Sequence, residues 1–491
     1  MFDLFQKPQP KTLREHQAKA IDMIRQSLAR GNKTVVCQMP TGAGKTVTAA
    51  EIIKGAQAKG NGVIFTAPAV SLINQTVEAF ALQGVTDIGV IQASHQLTNP
   101  DAQVQVATVQ SLAMREIPKA ALVVVDECHV GHAVIRQMMA ERPDVYFVGL
   151  SATPWRKGMG LEWSDLVIPI TIGELIAKGL LSEFSAFAPS IPDLTGVKVA
   201  STGDYAEAQL SEVMGDAKIM GDVVGTWLER GENRPTLCFC VDRRHANQVA
   251  RAFEKAGVAS AYVDGDTDTV ERELINASFR RGDVQIICSV RTMTTGVDLP
   301  VSCIIDAAPT RSEMLHVQKI GRGLRVNEGT EDCLILDHAG NSLRLGLVTD
   351  IHHATLDRTK AGERQERQPS ERLPKECPKC GLLRLGALCP SCGHEAQPPK
   401  LESADGELVA LTGKVKKASK EDKQAFWSMA LFISRERGKG EKLAKALYKG
   451  KFGVWPQGLD WIAVPPNAEF INYEKHRRIA YAKSRAKMEG K

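Results

Sequence analysis

The stretch 34-TVVCQMPTGAGKTVTAAEIIKGAQAK-59 decides the fold. A short β-branched run, TVVCQ, enters a loop with two glycines, and a segment with apolar residues at helical spacing follows at 48–59. A strand, a glycine loop and a helix in that order form the setting of a phosphate-binding loop. Gly42 and Gly44 let the backbone curl close to an anion, so that the N–H groups of Thr41, Gly42, Ala43 and Gly44 converge on it. Lys45 supplies a point charge for the β- and γ-phosphates, and Thr46 a hydroxyl for Mg²⁺. The strict pattern wants a glycine where Met39 stands, but the GAGKT core is intact. The alternative is an ordinary turn before a helix.

A phosphate-binding loop needs an acid at the end of a neighbouring strand to hold Mg²⁺. The run 122-LVVVDECHVGH-132 offers one. Asp126 ends the apolar run, and Glu127 is suited to orient and deprotonate an attacking water. Cys128, His129 and His132 also suggest a metal site, but no second Cys/His pair lies nearby to complete a tetrahedral shell. The acids are therefore the expected site and Cys128 packing. A buried acid pair with only a structural role is the competing account.

Around these motifs the chain alternates strands and helices. TVVCQ (34–38), VIFTA (63–67), VQVATV (104–109), LVVVD (122–126) and VYFVGLS (145–151) read as buried strands, with helices at 48–59 and 70–82 between them. The pattern recurs in TLCFCV (236–241), SAYVD (260–264), VQIICSV (284–290), CIIDAA (303–308) and CLILDH (333–338). Such alternation predicts parallel sheets covered by helices on both faces. At 491 residues there is room for two such α/β domains and more. Residues 170–220 are expected to connect them.

With MPTGAGKT and DECH in place, the chain resembles superfamily 2 helicases and translocases of the DEAD/DEAH type. It is most like the DNA-repair and restriction-type branch and phage-encoded members, over roughly residues 10–345. The resemblance implies two tandem RecA-like domains, at 1–170 and 171–356, and ATP hydrolysis coupled to movement on or unwinding of DNA. An RNA helicase with the same motor, or a nucleotide-dependent nucleic-acid clamp, would share these motifs. LREHQ (13–17) looks like the adenine-reading motif, with Arg14 and Gln17 as contacts. APAVSLINQ (67–75) and TVQSL (108–112) look like backbone-gripping segments, implying nucleic-acid contacts at Pro68, Gln75, Thr108 and Gln110. SATP (151–154) is similar to the motif that couples nucleotide to strand, through Ser151 and Thr153. TTGVDLP (294–300) looks like motif V, implying Thr294 at the strand and Gly296 and Asp298 at the nucleotide. QKIGRGLR (318–325) looks like motif VI: Arg322 and Arg325 as arginine fingers in a helix-like segment, with Gln318 near His129. A finger from a second domain neutralises transition-state charge that one domain cannot, contributing on the order of 10³–10⁵ in rate.

Beyond 356 the texture changes. Residues 357–376 are charged without apolar period and read as a linker. Then 377-CPKC-380 and 389-CPSC-392, with eight residues between them, make two knuckles able to hold one Zn²⁺ through Cys377, Cys380, Cys389 and Cys392. A zinc ribbon over 377–396 follows, with a redox-active dithiol as the alternative. The remaining cysteines sit mostly in apolar runs, as small buried hydrophobes do.

Charge is unevenly placed. The whole chain carries +5, yet residues 401–491 hold 19 Lys and Arg against 11 Asp and Glu. The same segment has Trp427, Trp455, Trp461, Tyr448, Tyr473 and Tyr481, half of all Trp and Tyr. Basic charge among aromatics suggests that a module at 405–491 touches nucleic acid. A small domain with its own aromatic core is the plainer account, and either the ribbon or this module could dock a protein partner. NYEKHRRIAYAKSRAK (472–487) reads as a helix. No run nears the ~20 apolar residues of a membrane span, and the N-terminus lacks a secretory pattern. A cytoplasmic protein, bacterial or phage-encoded, is expected.

Overall fold

The computed structural model describes residues 11–92, 94–188, 192–201, 203–290, 292, 299–327, 332–360, 373–386, 388–395, 420–438, 440–452, 455–467, 470 and 474. By contacts these fall into two compact units, Met1–Pro398 and Pro399–Lys491.

The first unit holds two open parallel sheets. One has the order β3-β4-β2-β5-β6-β1-β7, formed by β1 (Thr34–Gln38), β2 (Val63–Ala67), β3 (Ile88–Ile91), β4 (Val104–Thr108), β5 (Leu122–Asp126), β6 (Tyr146–Ser151) and β7 (Asp165–Val167). The other has the order β10-β11-β9-β12-β13-β8, formed by β8 (Glu183–Phe187), β9 (Thr236–Cys240), β10 (Ser260–Val263), β11 (Ile286–Ser289), β12 (Cys303–Ala307) and β13 (Asp332–Asp337). The central strands β2, β4, β9, β11 and β12 are buried throughout. Both of their faces are covered, which explains why they read as unbroken apolar runs and not as alternating ones. The edge strands β7 and β8 lack such runs, and β3, though apolar as IGVI, was not among the expected strands. The stretch after 170, expected as connector, thus supplies β8, an edge of the second sheet.

Register places the ends of the first sheet level with one another. Gln38 of β1 pairs with Ser151 of β6, and Asp126 of β5 with Leu150 of the same strand. The strand carrying SATP therefore lies between the phosphate-loop strand and the acid strand. Ligands bind beyond the carboxyl ends of such strands, where strand order reverses.

Over its first described residues, 357–359, the segment expected as a linker lies against the first domain. Leu356 is buried in the first domain's core with Met159 and Trp163. Asp357 takes N–H bonds from Gly158 at its side chain (3.0 Å) and from Gly160 at its carbonyl (2.6 Å). His353 stacks 4.8 Å from Trp155 and hydrogen-bonds Glu313 at 2.7 Å. His353 thus joins Trp155 of the first domain to Glu313 of the second.

The cysteine segment makes a two-stranded hairpin, β14 (Lys375–Glu376) with β15 (Leu383–Arg384), and Leu382 bridges Phe187 of β8. It thereby covers an exposed sheet edge. In the second unit, helices Lys420–Glu436 and Gly440–Phe452 pack around Phe426, Trp427, Leu431, Leu447, Tyr448 and Phe470. The helix expected at 472–487 falls outside the described residues, Glu474 excepted.

Candidate nucleotide site and metal cluster

β1 runs into the phosphate loop, and the helix Lys45–Gln57 leaves it. Gly42 and Gly44 both adopt φ of 83°, the left-handed region open to glycine. A Cβ on Gly44 would lie 2.2 Å from Gln17 Nε2. Met39 needs no such freedom: its backbone is not left-handed, its side chain is fully buried, and its N–H donates to Ser151. The missing first glycine is therefore a position the fold uses for core packing.

Gln17 is buried, donating to the Ala43 carbonyl at 3.1 Å and accepting from its own helix cap at Arg14 N. In this arrangement its carboxamide braces the phosphate loop, while Arg14 stays exposed. His16, which the motif reading passed over, lies on the same carbonyl at 2.9 Å.

Glu127 stands in the left-handed region at φ 48°, rare for a side-chain-bearing residue and typical of strained functional sites. The turn brings its Oε1 to 3.4 Å from Lys45 Nζ. Its Oε2 lies 3.2 Å from His129 Nδ1, which bonds the Ser151 hydroxyl at 2.8 Å. That carboxylate oxygen is buried with no hydrogen bond of its own among the described residues. Burial pushes Glu127 up, but Lys45 and His129 outweigh it and hold the acid low, so it is ionised at neutral pH. Burial, and then the charge of Glu127, push Asp126 up to about 7. A buried carboxyl raised in this way, beside an orphaned carboxylate oxygen, is what a divalent cation would relieve. Asp126 and Thr46 fit Mg²⁺, and the loop with Lys45 fits the phosphates of ATP.

The second domain closes the site. Gln318, in the helix Glu313–Ile320, has its Nε2 3.3 Å from His129 Nε2 and 3.1 Å from Thr153 Oγ1. Thr153 N donates to Ser151 Oγ at 3.0 Å, so His129, Ser151, Thr153 and Gln318 form one network. A Cβ on Gly321 would stand 3.2 Å from Thr41, which places motif VI against the phosphate loop. Arg322 and Arg325 are not helical as expected; they lie in the turn after the helix ends at Ile320.

Lys319 was missed by motif reading, and it turns the other way. Its Nζ bonds Asp306 of β12 at 2.5 Å and the Ala308 carbonyl at 2.9 Å, fully buried. Asn341 donates to the other Asp306 oxygen at 2.8 Å. Asp306 is pushed up by burial, but the pull of Lys319 and His316 is larger and holds it well below the usual carboxylate range.

The expected strand contacts divide. Pro68 follows β2, and Gln75 and Gln110 are exposed. Thr108 is buried, its hydroxyl committed to capping the helix Val109–Ala113 through Ser111. Thr294, Gly296 and Asp298 lie outside the described residues.

Cys377, Cys380, Cys389 and Cys392 bring their sulfurs within 4.8 Å of one another. The pairs 377/392 and 380/389 stand 3.7 and 3.6 Å apart, too far for disulfides and close to the edge of a tetrahedral thiolate site. Gly381 and Gly393 take left-handed turns, donating N–H to the carbonyls of Cys377 and Cys389. Burial would raise Cys377, but the N–H groups of Lys379 and Cys380 bring its thiol down to about 6, favouring the thiolate a metal needs. The cluster could hold a metal ion. A second set, Cys238, Cys240 and Cys288, converges in the second domain's core against Trp227 and Phe253, with three thiols only.

Two family models match. "Type III restriction enzyme, res subunit" covers residues 10–156, and "Helicase conserved C-terminal domain" covers 218–327. Joined to the two-domain site, they make the chain a superfamily 2 helicase with an ATP-hydrolysing motor. A 51.5 kDa protein of a Lactococcus phage is 28% identical, over 84% of this chain and 91% of its own length. IRC3 of Saccharomyces cerevisiae, named as an ATP-dependent helicase, is 27% identical over 69% of this chain and 52% of its own, so the chain spans about half of that relative. Among solved structures, a fragment of an HsdR subunit of a type I restriction enzyme from Vibrio vulnificus shares the fold. Its TM-score is 0.55 at 20% identity, covering 69% of this chain and 66% of that one. No helix among the described residues is long and apolar enough to cross a membrane.

Proposed function

We propose that this protein is a cytoplasmic, ATP-dependent DNA helicase or translocase whose cysteine hairpin is a zinc ribbon. The observation that carries the motor reading is the single network joining Glu127, His129 and Ser151 of one domain to Gln318 of the other. Because its members come from both domains, the state of the nucleotide site and the angle between the domains are one equilibrium. The DNA track is supported by the kinship with restriction-enzyme subunits, among them the EcoAI endonuclease subunit of Escherichia coli, 25% identical over 65% of this chain.

Mg²⁺ bound with ATP would neutralise phosphate charge, held by Thr46 and Asp126. The chain's own residues do the rest. Lys45 sits on the phosphates, and ionised Glu127 accepts a hydrogen bond from the attacking water and then its proton at Oε2. Arg322 and Arg325, which follow Gly321 where it approaches Thr41, would supply positive charge from the second domain. Gln318 reports closure to His129 and Thr153. Pro68, Gln75, Gln110 and Thr294 are assigned to the DNA backbone, whose sequence-independent phosphates suit a motor that must not pause. In the ribbon, four thiolates select a soft tetrahedral ion such as Zn²⁺.

The test is steady-state ATP hydrolysis without nucleic acid, with single-stranded, duplex or forked DNA, and with RNA, at two salt concentrations. Stimulation by DNA that weakens with salt is expected. Stimulation by RNA alone, or indifference to every nucleic acid, would overturn the assignment.

A further inference from the structure

The second unit buries most of its aromatics but not all. Trp427 is 1% exposed and Phe426, Tyr448 and Phe470 pack around it. Trp455 and Trp461, in contrast, are 53% and 48% exposed, on an irregular stretch over residues 455–467 that follows the helix Gly440–Phe452. Burying the open part of an indole is favourable, at about 25 cal/mol per Å² of apolar surface.

Each of these rings lies beside a lysine of that helix. Lys449 Nζ is 4.3 Å from the Trp455 centroid, and Lys445 Nζ is 5.6 Å from that of Trp461. Lys442, Lys445 and Lys449 stand at i, i+3 and i+7, so they form one stripe along the helix. Lys442 and Lys449 are exposed, while Lys445 also pairs with Glu441 at 2.9 Å. The stripe lies in a basic neighbourhood: residues 437–452 carry six Lys and Arg against the single acid Glu441. Trp461 is fixed from below by an edge-to-face contact with Trp427, centroids 5.2 Å apart. Each indole thus has a lysine ammonium over its ring and stays about half exposed, so open aromatic surface and positive charge lie side by side.

We propose that this Lys442/Lys445/Lys449 stripe with Trp455 and Trp461 is a second nucleic-acid site, one that grips a single strand by stacking bases on the indoles and phosphates on the lysines. Charge and aromatic content together select this occupant. An acidic peptide would satisfy the lysines but leave the indoles without a matching face, whereas every nucleobase presents a π-face at the spacing of a charged backbone. Lys445 and Lys449 are one turn apart, about 6 Å along the helix, a step that an unstacked strand can follow. The site adds a grip outside the motor and rests on nucleic acid being the motor's track.

The test uses full-length protein without ATP and a short fluorescein-labelled oligothymidylate, followed by anisotropy across a salt series. Trp455→Ala is expected to weaken binding about tenfold or more, with Trp455→Phe recovering most of it. The double variant Lys442→Gln/Lys449→Gln changes exposed side chains alone, so it carries the test even if Trp455→Ala perturbs the fold. It should reduce the slope of log K against log salt by about 1.4. Unchanged affinity in Trp455→Ala together with an unchanged slope in the double variant would overturn the proposal, as would stronger binding of a duplex of equal length. Oligouridylate in parallel reads the sugar: equal binding supports stacking without sugar recognition. Lys45→Ala separates the two readings, since it stops hydrolysis while leaving this grip intact.

Discussion

Gln318 Nε2 stands 3.3 Å from His129 Nε2, and the next residue, Lys319, is buried on Asp306 in the opposite direction. Two consecutive side chains of one helix thus serve different masters. One reaches across to the nucleotide domain, and the other pins the helix to its own sheet.

Gln318→Ala should separate coupling from chemistry. The lost contacts to His129 and Thr153 join the domains but touch no phosphate. ATP affinity is expected to stay within about twofold, while nucleic-acid stimulation of turnover drops by roughly tenfold. Equal loss in the presence and absence of nucleic acid would show Gln318 acting on the chemical step instead.

Glu127→Gln should bind ATP and fail to turn it over, with a loss on the order of 10²–10⁴. Lys45→Ala should lose hydrolysis through weakened phosphate binding. Normal turnover in Glu127→Gln, measured by phosphate release, would remove Glu127 from the mechanism.

Lys319→Met should act on stability. It leaves Asp306 buried and charged without its main partner, a change that costs about 3–5 kcal/mol, read by denaturant unfolding. Asp306 is depressed in the folded state, so its contribution is complete above the unfolded carboxyl value of about 4. It is lost as pH falls through the lower folded value. The wild type should therefore lose stability in acid more steeply than Asp306→Asn/Lys319→Met.

Gly321→Ala tests the closeness of motif VI to the phosphate loop. The added Cβ would meet Thr41 at 3.2 Å and the Val317 carbonyl at 3.0 Å, so the domains must part slightly. Turnover should fall by about tenfold with the melting temperature held within a few degrees. Wild-type turnover would mean the approach is not needed for hydrolysis.

Cys389→Ser should lower bound zinc, measured by metal analysis of the purified protein, and leave ATP binding in place. Chelation of the wild type should release the same ion and loosen the hairpin from Phe187. Unchanged metal content would refute the ribbon.

Much of this was legible in the chain. Strands β1, β2 and β5 appear at the residues their apolar runs mark, because a strand buried on both faces has no polar alternative. The phosphate loop and DECH were legible because phosphate and Mg²⁺ demand fixed atoms at fixed spacing. The cysteine spacing likewise announced four converging sulfurs.

What only tertiary structure decided involves residues far apart in sequence. Edge strands β7 and β8 take their place from their neighbours, without patterns of their own. Leu356 and Asp357 return to the first domain although their surroundings in sequence are charged. Lys319 sits in a helix inside a motif, yet its partner Asp306 is on strand β12, so the motif alone could not show it to be a pin. His16 finds Ala43 only once the first domain has folded, and Gln318 finds His129 only once two domains have met. Sequence fixes chemistry that is local; the pairing of distant side chains depends on burial and register, which exist only in the folded chain.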